Sequence, residues 1–152
     1  MISFLKSLLS EEGAKSPSTL DEAHIATAAL LIEAALSDND YQDVEREAII
    51  SVLISHYKIS DADARELIGE AEKAQAESEQ LFYFTRTVKD SFPIETRVKM
   101  IEMLWEVAYA DGVLSIFEAN LVRRVAGLIY VSDRERGDAK KTVIARLGIG
   151  ED

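Results

Sequence analysis

The sequence predicts an all-α domain of about seven or eight helices, built from two similar helix–turn–helix units, and three observations carry that reading. Apolar residues recur at helical spacing between capping signals along most of the chain. No sustained alternation of apolar and polar residues is bounded by hairpin turns, so no strand is predicted. The stretch Glu106 to Glu118 also has a weaker copy 73 positions earlier, Glu33 to Glu45. Glu33, Asp38 and Glu45 fall in register with Glu106, Asp111 and Glu118, and Leu31, Ile49 and Val52 with Leu104, Val122 and Val125. Repetition at a fixed offset makes each copy one structural unit. The units span about 20–77 and 94–148, within a domain over 19–152 that follows an N-terminal helix and linker over 1–18.

Residues 2–9 place Ile2, Phe4, Leu5, Leu8 and Leu9 on helical spacing. They suit a first helix packed on the domain, or a segment that associates weakly with a membrane or partner; a lone Lys6 gives little of the basic face that anionic lipid requires. Ser10 to Ser18 is a linker by composition. Thr19, with Glu22 three residues on, caps a helix from about Leu20 to Ser37, whose Ile25, Ala28, Ala29, Ile32 and Leu36 face a core. Ser37 to Asp40 is a turn. A helix over Asp43 to Tyr57 is expected to bury Val44, Ile49, Val52 and Leu53.

Ser60 caps the next helix, to about Glu77; it is poor in large apolar residues and is expected to be well exposed. Leu81 to Phe84 opens a short helix near 79–91, ended by Pro93. In the second unit Val98, Ile101, Trp105 and Ala108 share one face, and Phe117, Leu121, Val125 and Leu128 another. Tyr57, Tyr130, Trp105 and the Phe82–Phe84 cluster are expected in the core. Ser132 with Glu135 caps a last helix to about Leu147, ended by Gly148 and Gly150. Lys140, Lys141 and Arg146 make its one locally basic face, which reads as a solvated surface or as a docking surface for an acidic neighbour.

Charge is the compositional outlier: 28 acidic against 17 basic side chains give a net −11 in 152 residues. Such a surface repels phosphate backbones, which argues against nucleic acid as a partner. Without cysteine there is no disulfide, thiol nucleophile or thiolate metal site. No apolar run reaches the roughly 20 residues that span a bilayer, and no signal peptide is evident, so a soluble cytoplasmic protein is expected.

No catalytic pattern stands out. His24 and His56 are the two histidines, neither beside a Ser or an acid in a familiar spacing, and they read as satisfied or exposed side chains. Phosphate-cradling glycine loops and zinc-type clusters are missing. The acidic turns are more informative. Asp38, Asp40, Asp43 and Glu45, with Asn39, crowd oxygen donors of the kind that hard cations such as calcium or magnesium take. The spacing is not an EF-hand: Asp43 stands where Gly is needed and Ile49 where the bidentate Glu belongs. Helix capping accounts for Asp111, Ser115 and Glu118 equally well. It does not account for Glu33 and Glu106, anions near helix C-termini, where the dipole disfavours them.

Ala110-Asp-Gly-x-x-Ser-x-x-Glu118 before an apolar helix, the degenerate earlier copy, and Val131-Ser-Asp-x-Glu135 resemble the TerB-like (tellurite-resistance TerB) family over about residues 24–147. The N-terminal domain of DjlA-type co-chaperones is similar. The resemblance implies an all-helical fold with pseudo-twofold repeats and metal binding through acidic residues. By position that role carries over to Asp38 and Glu45, then Asp111 and Glu118; Glu33, Asp40 and Glu106 join them from the repeat and the acidic turn. Val113 and Ile116 leave the second turn less acidic. Tellurite resistance does not follow, because fold and motif do not fix function.

Three functions are weighed. The first is a non-enzymatic module, in metal or envelope stress, whose acidic corners bind a divalent cation, a basic protein surface, or both. The second is a helical protein–protein scaffold without metal. The third is a hydrolase with a carboxylate-bound metal.

Overall fold

The computed structural model describes residues 22–36, 41–78, 81–110 and 116–148. Seven helices fill these segments: α1 (Glu22–Leu36), α2 (Asp43–Tyr57), α3 (Asp61–Ser78), α4 (Leu81–Ser91), α5 (Ile94–Ala108), α6 (Ile116–Leu128) and α7 (Asp133–Leu147). No strand occurs among the described residues, so the all-α expectation holds. The N-terminal segment, the Thr19 cap, the turns over 37–40 and 111–115, and Gly150 lie outside the described residues.

Local chemistry sets the helix ends. Ser132 Oγ accepts the Glu135 N–H at 3.1 Å while Glu135 Oε1 accepts the Ser132 N–H at 2.9 Å, closing the expected capping box of α7. Ser60 Oγ likewise accepts the Asp63 N–H at 3.0 Å at the start of α3. Pro93, extended at φ −71° and ψ 169°, separates α4 from α5. Gly148 stops α7 in the left-handed region at φ +70°. Lys58 and Tyr130 take the same region at φ +54° and +61°, just beyond α2 and α6. Side chains other than glycine pay roughly 1–2 kcal/mol for that conformation.

The core is organised around α1, which packs most extensively on α3, α4 and α5 and also meets α2 and α6. Ten of its 15 residues are buried, on nearly every side of the helix. Six of the ten are alanines, small enough for neighbouring helices to approach closely. Thr27, fully buried, donates its hydroxyl to the Ala23 carbonyl at 3.0 Å, so its polarity is satisfied within the helix. In the C-terminal half α5 plays the nearest equivalent part, packed mainly on α7. Arg97 locks its beginning, donating to the carbonyls of Phe92 at 3.0 Å and Ile129 at 2.8 Å.

Several burial expectations are corrected. Helix α3 is not the exposed helix its composition suggests: Ala64, Leu67, Ile68 and Ala71 are all fully buried, forming a narrow i, i+3, i+4, i+7 stripe against α1. Val44 is exposed rather than core, because it stands in the first turn of α2, off the Ile49–Leu53 face. Phe117 is exposed for the same reason at the start of α6. Tyr130 projects outward from its left-handed cap, with the Lys89 ammonium 5.0 Å from its ring centroid. Of the Phe82–Phe84 cluster only Phe84 is buried.

Candidate functional site

The first inter-helix corner is described from Tyr41 onward. Tyr41 donates to Glu72 Oε2 at 2.5 Å, and Arg46 clamps the same carboxylate through Nε at 2.7 Å and Nη2 at 3.2 Å. These bonds tie the beginning of α2 to the middle of α3. Burial acts to raise the Glu72 pKa, but the bonds from Arg46 and Tyr41 outweigh it and hold the carboxyl below its ordinary value. Tyr41 is pushed up, by burial first and then by the adjoining carboxylate. Neither Tyr41 nor Glu72 is evident from the sequence, because they lie 31 positions apart and carry no local pattern.

Two of the predicted ligands at this corner, Glu33 and Glu45, have partners within the protein. Glu33, near the end of α1, accepts from Gln75 Nε2 of α3 at 3.1 Å. Glu45 accepts the Gln42 N–H at 3.0 Å, which makes it a helix cap. Asp38 and Asp40 lie outside the described residues.

At the second corner Glu106 lies near the end of α5 with its side chain about 10% exposed. One oxygen is 3.1 Å from His56 Nε2 of α2, and the other accepts from Arg146 of α7. Arg146 Nη2 also donates to Glu102 Oε1, one turn back along α5, at 2.9 Å. A single guanidinium thus spans two carboxylates on adjacent turns, Glu102 buried and Glu106 partly buried. Burial alone would raise the Glu106 pKa; the His56 contact and the Arg146 charge overcome it and leave the carboxyl below its usual range. Of the basic residues expected to form a face on α7, Arg146 pairs with carboxylates of this same chain, while Lys140 stands over the Trp105 ring at 5.3 Å. Glu118 is buried in the first turn of α6, and Asp111 lies outside the described residues.

Of the seven predicted metal ligands Glu33, Glu45, Glu106 and Glu118 lie among the described residues, the first two at one corner and the last two at the other. Among the described residues no three His, Cys, Asp or Glu side chains come together as a cation site. The countercharge that the dipole argument demanded for Glu106 is Arg146, and for Glu33 the partner is the Gln75 amide. Both carboxylates close the end of one helix onto a later one. Arg146 and Glu102 could have been anticipated in part: Glu102 and Glu106 are spaced i, i+4, so they share a face.

Large apolar side chains are exposed beside both corners. Val44 is 71% exposed next to Asp43 and Glu45; Ile116 and Phe117 are 68% and 62% exposed next to Glu118. No helix is long and apolar enough to cross a membrane among the described residues.

Comparison with known proteins places this fold. The family model of tellurite resistance protein TerB matches residues 24–141. No curated protein and no solved structure matches the chain. That match runs from the first turn of α1 into α7 and takes in both corners, and the chain belongs to the TerB family.

Proposed function

We propose that this TerB-family domain is a non-enzymatic binding module of the cytoplasm whose acidic inter-helix corners receive a basic protein surface. The observation that carries the reading is the exposed apolar pair of corners, Val44 between Asp43 and Glu45 at one and Ile116 with Phe117 at the other. Apolar side chains ringed by charge are the usual makeup of a protein contact, with anchors at the centre and complementary charge at the rim. A net charge of −11 steers basic partners toward such a surface. In this reading the corners are copies of one unit. Supporting it, Glu33 and Glu106 each close onto a later helix, and Lys58 and Tyr130 take the same left-handed cap.

A divalent cation, calcium or magnesium, is the second reading. It is favoured by the oxygen-rich composition of Asp38, Asn39 and Asp40, with Asp111 at the other turn. Cation and partner are compatible, since an ion could order the turn that presents the apolar side chain.

Amide NMR tests both. A synthetic amphipathic Lys/Leu peptide should shift residues 41–47 and 116–120, and Val44→Ser with Phe117→Ser should remove those shifts without unfolding the domain. Calcium or magnesium should shift 37–45 or 110–118, lost in Asp38→Asn or Asp111→Asn. Diffuse changes with the peptide that survive the double substitution would refute the protein-surface reading. Absence of saturable shifts at millimolar ion would refute the cation.

A further inference from the structure

A cleft of about 460 Å³ opens between the end of α2, the outer face of α5 and the end of α7, away from the exposed apolar corner residues. Its floor is apolar: Met100 and Met103 of α5 are almost fully buried beneath it, and Phe92 closes one side. Its polar lining runs against the character of the protein. In a chain with 28 acidic and 17 basic side chains, Lys58, Lys99 and Arg146 border this cleft against one lining carboxylate, Glu95. Ser55 and Thr96 add hydroxyl donors.

The three cations are not equivalent. Arg146 is committed to Glu102 and Glu106, which neutralise it from behind. Lys99 makes only a loose 3.9 Å pair with Glu102 and is 63% exposed. Lys58 has no ion pair among the described residues. It also occupies the left-handed cap of α2 at φ +54°, where glycine would be the less strained residue. The fold therefore holds an unneutralised ammonium at the rim, on backbone that does not favour a side chain. A concave volume with an apolar floor and a few polar groups is the usual form of a small-molecule site.

We infer that this cleft binds a small organic anion, a carboxylate or phosphate monoester, with its charged head at Lys58 and Lys99 and its apolar body on Met100, Met103 and Phe92. The assignment is independent of the acidic corners, and either can fail without the other. Lys58 and Lys99 supply the charge recognition, Thr96 and Ser55 are placed to donate hydrogen bonds, and the methionines adapt to the shape of the body.

Benzoate and phenyl phosphate, titrated separately into the full chain and followed by amide NMR, test this. Saturable shifts over residues 55–58 and 92–103 are expected with at least one of them, and the tighter binder identifies the head group. Benzyl alcohol, which has the body without the charge, should leave those signals in place. Reversing both charges, Lys58→Glu with Lys99→Glu, should weaken binding about tenfold or more. Lys58→Gly separates the structural from the recognition role: it should raise Tm by relieving the left-handed lysine, yet weaken the anion. The inference is overturned if neither anion gives saturable shifts, if the charge reversal leaves affinity unchanged, or if benzyl alcohol binds equally well.

Discussion

His56 and Glu106 stand 50 positions apart in the sequence and 3.1 Å apart in the fold, and the second oxygen of the same carboxylate takes Arg146. Glu106 thereby joins α2, α5 and α7 at one point. Its pKa is lowered in the folded protein, so its stabilising contribution is fully present above the unfolded value of about 4.3 and is lost as pH falls through the folded value. Glu72 behaves in the same sense. Acid unfolding followed by circular dichroism should therefore steepen below about pH 4.3. Glu106→Gln should be less stable than the parent at pH 7 and show a shallower loss on acidification. Equal acid slopes for the two proteins would mean that Glu106 is not held ionised by its partners.

Removing Arg146 attacks the same junction from the other side. Arg146→Ala leaves the buried Glu102 and the partly buried Glu106 without their shared guanidinium, and with the arginine itself 40% exposed the cost should be about 1–2 kcal/mol. Arg146→Lys should recover less than half of it, because one ammonium cannot reproduce a fork that reaches two carboxylates. Urea unfolding of the three proteins decides the matter, and full recovery by lysine would show that charge alone is at work.

The Tyr41–Glu72–Arg46 cluster is separable from that junction. Tyr41→Phe deletes one hydrogen bond to an ionised carboxylate and should cost about 1–2 kcal/mol. Glu72→Gln should cost at least as much, since it also releases Arg46. A double-mutant cycle between the two positions should return a coupling of about 1 kcal/mol, and additivity would mean the contact carries no energy of its own.

Helix α2 offers a test of register. Val44→Asp, on a side chain 71% exposed, should change stability by no more than about 0.5 kcal/mol. Ile49→Asp, at a position with no exposure, should prevent folding at neutral pH because the carboxylate has no partner there. Comparable Tm values for the two variants would contradict the orientation of this helix.

These residues also show what the sequence could and could not convey. Ile49, Val52 and Leu53 repeat at helical spacing, and the Ser132–Glu135 cap announces itself locally, so the helices and most of their ends are legible. Val44 and Phe117 are not, because an apolar residue in a first turn reads like the core residues behind it while the corner leaves it outside. The burial of α3 is hidden by a different cause. Its stripe includes Ala64 and Ala71, and a helix seated against the alanines of α1 needs little apolar bulk to be covered. At the corners the sequence marks the carboxylates but not their partners. Gln75 comes from 42 positions beyond Glu33 and Arg146 from 40 beyond Glu106, distances over which no local pattern operates.

The burial of α1 on nearly all sides bears on how the chain matures. Translation delivers this helix before each of the described helices that pack on it, with α5 and α6 following α3 and α4. Until its neighbours have emerged, Leu30, Leu31 and Ile32 lack the side chains that bury them. Vectorial folding of the N-terminal half cannot run to completion, and the cooperative step waits for α5 and α6 to leave the exit tunnel.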